Sequence, residues 1–116
     1  MTQEHKELLL KDLCSRLPYR LKVKIISRES KNRIVYLTED NICHLTNGWW
    51  SECKPYLFPL SSMTEEQHLE LLRTCFGGNA SFPTLASYDW LNKNHFDYRG
   101  LIDKGLAIDA TNKNIY

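Results

Sequence analysis

No stretch of this sequence stays apolar for more than a few residues, and the triplet Leu8 to Leu10 is representative. A bilayer-spanning helix needs about 20 such residues, so the chain reads as having no membrane partner. Its opening, with Glu4, His5, Lys6 and Glu7 ahead of the leucines, lacks the basic-then-apolar order of a secretory signal, and the expected compartment is the cytoplasm. The cysteines Cys14, Cys43, Cys53 and Cys75 include no CxxC pair. In a reducing compartment they read as packed thiols rather than a disulfide framework. There is no internal repeat and no low-complexity tract.

Motifs that carry chemistry are equally scarce. Cys43, His44 and Cys53 lack the closely spaced pairs that zinc usually takes, and adjacent strand residues point to opposite faces. No metal and no cofactor is expected. Gly77 and Gly78 follow a helical pattern instead of joining a strand to a helix, so they read as a helix stop and not as a phosphate cradle. General-base chemistry could draw on His95 with Asp97 or Asp89, or on His68 with Cys75, but no nucleophile elbow or triad context surrounds them. Asp97 reads more simply as the cap of a following turn, and the chain reads as not an enzyme.

What the sequence does hold is a charge step. Residues 11–33 carry eight Lys or Arg against two acids, while the remainder carries seven against twelve, in a chain of net charge +1. The length of 116 residues suits a single globular domain, 1–116, and the 42% apolar content with Trp49, Trp50 and Trp90 suits a folded one.

Leu9, Leu13 and Leu17 recur at helical spacing, which predicts a helix over 4–16 stopped by Pro18. Leu21, Val23 and Ile25 alternate with Lys22 and Lys24, the period of a strand with one wet face. A turn over 28–32 leads to a second strand, 33–38, in which Val35 and Leu37 or Ile34 and Tyr36 face the core. Glu39 to Asn41 read as a turn, 42–45 as a third strand, Asn47 and Gly48 as a reversal, and 49–54 as a fourth strand. Pro55 and Pro59 then take the chain out of the sheet.

Thr64 with Gln67 forms a capping box ahead of a helix over 64–75, whose apolar face is Leu69, Leu72 and Phe76. Ser87 is placed to cap a short helix carrying Trp90 and Leu91, and Gly105 to end a turn begun at Asp97, with Leu106 packing back on Leu101. Residues 111–116 read as a flexible tail. The expected fold class is α+β: a small antiparallel β-meander or half-barrel, packed with an N-terminal helix and short C-terminal helices.

The segments ELLLKDLCSRLPY at 7–19, KPYLFPLSSMTEEQ at 54–67 and YDWLNKNHFDYRGLIDKGLAI at 88–108 resemble a family of small uncharacterised proteins encoded in gut-bacterial genomes and their prophages. The resemblance implies a context inside the cell linked to phages or mobile elements. It supplies no site residues, and the segment 22–52 lies outside it.

Three functions follow from these readings. The first is a non-enzymatic interaction or accessory module that contacts a protein partner through Trp49, Trp50, Tyr56 and Phe58, because consecutive tryptophans on a strand cannot both enter one core. The second is a weak, salt-dependent nucleic-acid binder using the basic segment 16–33: Arg16, Arg20, Lys22, Lys24, Arg28, Lys31 and Arg33 on phosphates, with nearby aromatics on bases. The third is an enzyme of unrecognised type. A chain pI of about 7.7 falls short of the basic footprint expected of a dedicated nucleic-acid binder, which ranks the interaction module first.

Overall fold

The structure, a computed structural model, describes residues 2–27, 33–46, 50–75 and 85–116. Helix α1 (Gln3–Arg16) starts at Thr2, whose hydroxyl accepts from the His5 amide, and buries Leu9 and Leu13 on one face. That face lies over strand β1 (Lys22–Ser27), where Leu21, Val23 and Ile25 are buried and Lys22 and Lys24 are half-exposed, as the alternation requires. Strand β2 (Arg33–Tyr36) pairs antiparallel with β1, Lys22 opposite Tyr36 and Ile25 opposite Arg33. Leu37 turns inward, while Ile34 and Tyr36 are exposed.

The expected third strand at 42–45 is instead helix α2 (Glu39–Thr46). Thr38 is its cap: the hydroxyl accepts from the Asn41 amide, and Glu39 and Asp40 occupy the first turn, where the helix dipole favours them. The cluster read as a turn was a helix start. The following strand, β3 (Trp50–Pro59), lies on the other side of β1, antiparallel to it, with Val23 opposite Pro55. The sheet order is therefore β2-β1-β3 rather than a meander.

Both prolines lie within β3, which overturns the expectation that the chain leaves the sheet at Pro55. Proline is tolerated where a ladder does not call on its N–H, and Pro55 sits where pairing with β1 stops. Beyond it β3 gains two short parallel partners. Phe58 and Pro59 pair with β4 (Phe96–Asp97), and Tyr56 and Leu57 pair with β5 (Ile108–Asp109). The result is an α+β domain on a mixed, open sheet.

Helix α3 (Glu65–Cys75) carries the capping box in full: Thr64 N–H donates to Gln67 Oε1, and Gln67 N–H donates to the Thr64 hydroxyl. Its inward residue is Leu71, not Leu69, which is 55% exposed; Phe76, Gly77 and Gly78 lie outside the described residues. Helix α4 (Leu85–Lys93) includes Ser87 as a buried interior residue, its hydroxyl 3.0 Å from that of Thr74, so Ser87 is not the cap. Two apolar clusters result. Leu9, Leu13, Val23, Ile25 and Leu57 belong to the one beneath α1, and Leu71, Leu91 and Phe96 to the one beneath α3 and α4.

Asp97 accepts from the amides of Leu101 and Ile102, fixing the turn that follows β4. The turn closes as a Schellman motif: Leu106 N–H donates to Leu101 O, Gly105 N–H to Ile102 O, and Gly105 has φ +73°. In the stretch 111–116, the Tyr116 hydroxyl accepts from Lys22 N–H and donates to Tyr56 O. Lys22 and Tyr56 are the next opposed pair in the β1–β3 register, so a phenol continues that ladder where the backbones separate.

A buried charge network joins α1 to the C-terminal half. Asp12 accepts from Arg16 Nε at 2.8 Å and from Arg99 Nε at 3.1 Å, and Arg16 Nη2 donates to Phe96 O at 2.6 Å. Asp12 and Arg16 are fully buried. Burial pushes the Asp12 carboxyl above its ordinary pKa, while Arg16 and Arg99 pull it down. Removing one member strands the others without water, so Asp12→Ala is expected to destabilise the fold by about 3–5 kcal/mol, read as a fall in the urea midpoint. A loss under ~1 kcal/mol would show that the network is dispensable.

Candidate functional site

The turn Leu60–Ser62 leads from β3 into α3, and α4 packs alongside, leaving an apolar groove of about 730 Å³. Leu60, Met63, Leu69 and Leu71 line one wall, and Tyr88, Leu91 and Tyr98 the other. Leu60 is 46% exposed and Tyr88 39%, so the groove is open to a partner. Of the acids on α3 and α4, Glu65 is among the groove's lining residues, beside His68. Glu70 also accepts from the Trp90 indole at 3.3 Å, which anchors α4 to α3.

Tyr98 is held rigidly at the groove's edge. Its hydroxyl donates to Asn92 Oδ1 and accepts from Arg99 Nη2, and the Arg16 and Arg99 guanidinium carbons lie 5.2 and 4.9 Å from its ring centre. Tyr88 packs against it, tilted by 52° at a centroid distance of 5.2 Å. The two rings therefore form a preorganised wall of the groove.

A second, basic cleft of about 470 Å³ opens between the start of β1 and the loop before β4. Arg20, Lys22 and Lys93 line it together with Tyr19 and Tyr36, and among the described residues no Asp or Glu side chain does. Arg20 and Lys22 both lie over the Tyr36 ring, at 4.9 and 5.2 Å. At its base His95 stacks on Tyr116, with centroids 4.0 Å apart and planes 12° from parallel.

Of the four aromatics expected at a protein contact, Tyr56 is buried at 5% exposure, and Phe58 is half-buried against Phe96 and Tyr116. Trp49 lies outside the described residues, and Trp50 opens β3 opposite Ser27. Of the basic set, Arg20 and Lys22 come together in the cleft. Lys24 sits between Ile34 and Lys54 in the sheet register, Arg33 is exposed on β2, and Arg28 and Lys31 lie outside the described residues. Arg16, counted among the phosphate contacts, is consumed by Asp12 and Phe96 O.

Asp97 spends both carboxylate oxygens on backbone amides and does not orient His95. Among the described residues no group of three His, Cys, Asp or Glu could hold a metal ion, and no helix is long and apolar enough to cross a membrane. Burial pushes the Cys53 thiol up to about 12. Sequence reasoning passed over the groove, although a signal existed: Leu69, Leu71 and Leu72 cannot all face one core at helical spacing. Compared with family models, curated proteins and solved structures, the chain finds no match.

Burial, with the positive charge of Arg16 adding to it, pushes the His95 imidazole down to about 4. Its ordinary value in the unfolded chain is 6.5, so its contribution to stability is complete above that pH and drains as the pH falls toward 4. The urea midpoint is expected to fall more steeply between about pH 6.5 and 4.5 than that of His95→Asn, a residue suited to the same left-handed backbone. Parallel midpoint curves would show that His95 titrates alike in both states.

Proposed function

We propose that the protein is a non-enzymatic interaction module that holds an amphipathic helical segment of a protein partner in the groove between α3 and α4. The observation that carries the reading is the exposed apolar groove of about 730 Å³. Apolar grooves take the i, i+3, i+4 anchors of such a helix. The expected contact at Trp49, Trp50, Tyr56 and Phe58 is thus replaced by Leu60, Met63, Leu69, Tyr88 and Tyr98.

Two of the three segments that resemble prophage-encoded proteins contribute to the groove: Leu60, Met63 and Glu65 come from 54–67, and Tyr88, Leu91 and Tyr98 from 88–108. The resemblance supports an accessory role for a phage or mobile element, acting in the cytoplasm. Fold and resemblance supply context here, while the groove supplies the contact.

A designed Leu/Lys amphipathic helical peptide is the probe. It is expected to shift methyl resonances of Leu60, Met63 and Leu69, and to lose at least about tenfold in affinity with Leu69→Glu. Leu69 is exposed, so that variant leaves the core intact. Shifts mapping away from the groove, or equal affinity for Leu69→Glu, would refute the reading.

A further inference from the structure

The basic cleft is a separate site, with a chemistry the groove lacks. Arg20 and Lys93 form no ion pair among the described residues, and Lys22 donates to Ile115 O without meeting an acid. Three cations therefore line one space with no Asp or Glu side chain of the described residues among them. Like charges brought together cost free energy unless an anion answers them. The same cleft presents half-buried Tyr19 and exposed Tyr36, whose ring Arg20 and Lys22 overlie.

The backbone around it is unusual too. Of the four non-glycine residues with left-handed φ among the described residues, Arg20 (φ 56°) and His95 (φ 62°) line the cleft, and Asn112 (φ 64°) lines its continuation. That continuation is a polar cleft of about 520 Å³, sharing Lys93, His95 and Tyr116 and adding Ser62, Gln67 and Asn94. His95 Nδ1 is buried with no hydrogen-bond partner among the described residues. A cationic, ring-bearing pocket thus leads into one rich in hydroxyls and amides.

We propose that this cleft binds a nucleotide unit, its phosphate on Arg20, Lys22 and Lys93 and its flat base against the rings of Tyr19 and Tyr36. Cations that track phosphate beside aromatics that stack bases are the common design of single-strand sites. The polar continuation accommodates a neighbouring sugar or base. The unit can be a free nucleotide or part of a single strand, and both present the same phosphate and base. The site differs from the basic segment 16–33 read in sequence: it drops Arg16 and Lys24 and gains Lys93, more than sixty residues away.

The test is fluorescence anisotropy of the full chain with a labelled oligothymidylate of about 8 nucleotides, within the ~4–16 nucleotide span of such sites. One phosphate neutralised by the three cations predicts a log–log salt slope of about −0.7 on a single strand. Arg20→Gly, which suits the left-handed backbone, and Lys93→Gln are each expected to weaken binding and flatten the slope. Tyr36→Ala is expected to cost at least about fivefold, and Lys11→Gln, on the exposed face of α1 and with the same charge change as Lys93→Gln, to bind like the wild type.

Displacement by a thymidine mononucleotide would assign the site to free nucleotides, and binding by the oligomer alone to single strands; either supports the proposal. Displacement by inorganic phosphate at the same concentration as the mononucleotide would overturn it, because the rings would then contribute nothing. No binding at low salt, or equal losses for Lys11→Gln and Lys93→Gln, would overturn it as well.

Discussion

Asp12 between Arg16 and Arg99 is the constraint on which the molecule's arrangement depends. A carboxylate with no solvent access must be answered by donors at hydrogen-bonding distance, and two guanidinium groups from distant parts of the chain supply them. Arg16 then spends a further donor on Phe96 O, so the position of β4 is referred directly to α1. Such networks contribute modestly to net stability relative to an apolar replacement. Their effect is on uniqueness, because alternative packings of α1 leave charges unanswered.

Both candidate sites inherit this geometry. Tyr98, the rigid wall of the apolar groove, lies against the Arg16 and Arg99 guanidinium groups, and His95, the floor of the basic cleft, directly precedes Phe96. Residues 95–99 thus serve the core with one set of atoms and the surface with another. The groove and the cleft differ in character, one apolar, the other cationic and aromatic, which suits them to different ligands.

Local signals were legible where one residue set answered to one neighbour. The stripe of Leu9 and Leu13, the alternation of β1, the Thr64–Gln67 box and the Gly105 stop all depend on contacts within a few residues or on one broad apolar face. Thr38 with Glu39 and Asp40 carried an equally local helix signal, but the β-branched and apolar residues on both sides favoured strands. Pro55 and Pro59 misled for a different reason. Their effect depends on which ladder positions β3 calls upon, and that is fixed by partners at 22–27, 96–97 and 108–109. The burial of Asp12 and Arg16 is the extreme case, since nothing within α1 distinguishes a solvated i, i+4 pair from one sealed by Arg99 and Phe96.

The same prolines matter before the fold is complete. At ordinary synthesis rates of roughly 5–20 residues per second, the last four residues of β3 emerge about 2 to 10 seconds ahead of β4 and β5, which will pair with them. Through that interval Tyr56, Leu57 and Phe58 are an unpaired apolar strand edge, the kind of segment on which nascent chains aggregate. Pro55 and Pro59 bracket it and offer no N–H to a stray strand. On the ribosome they act as gatekeepers, guarding the strand until its own partners are made.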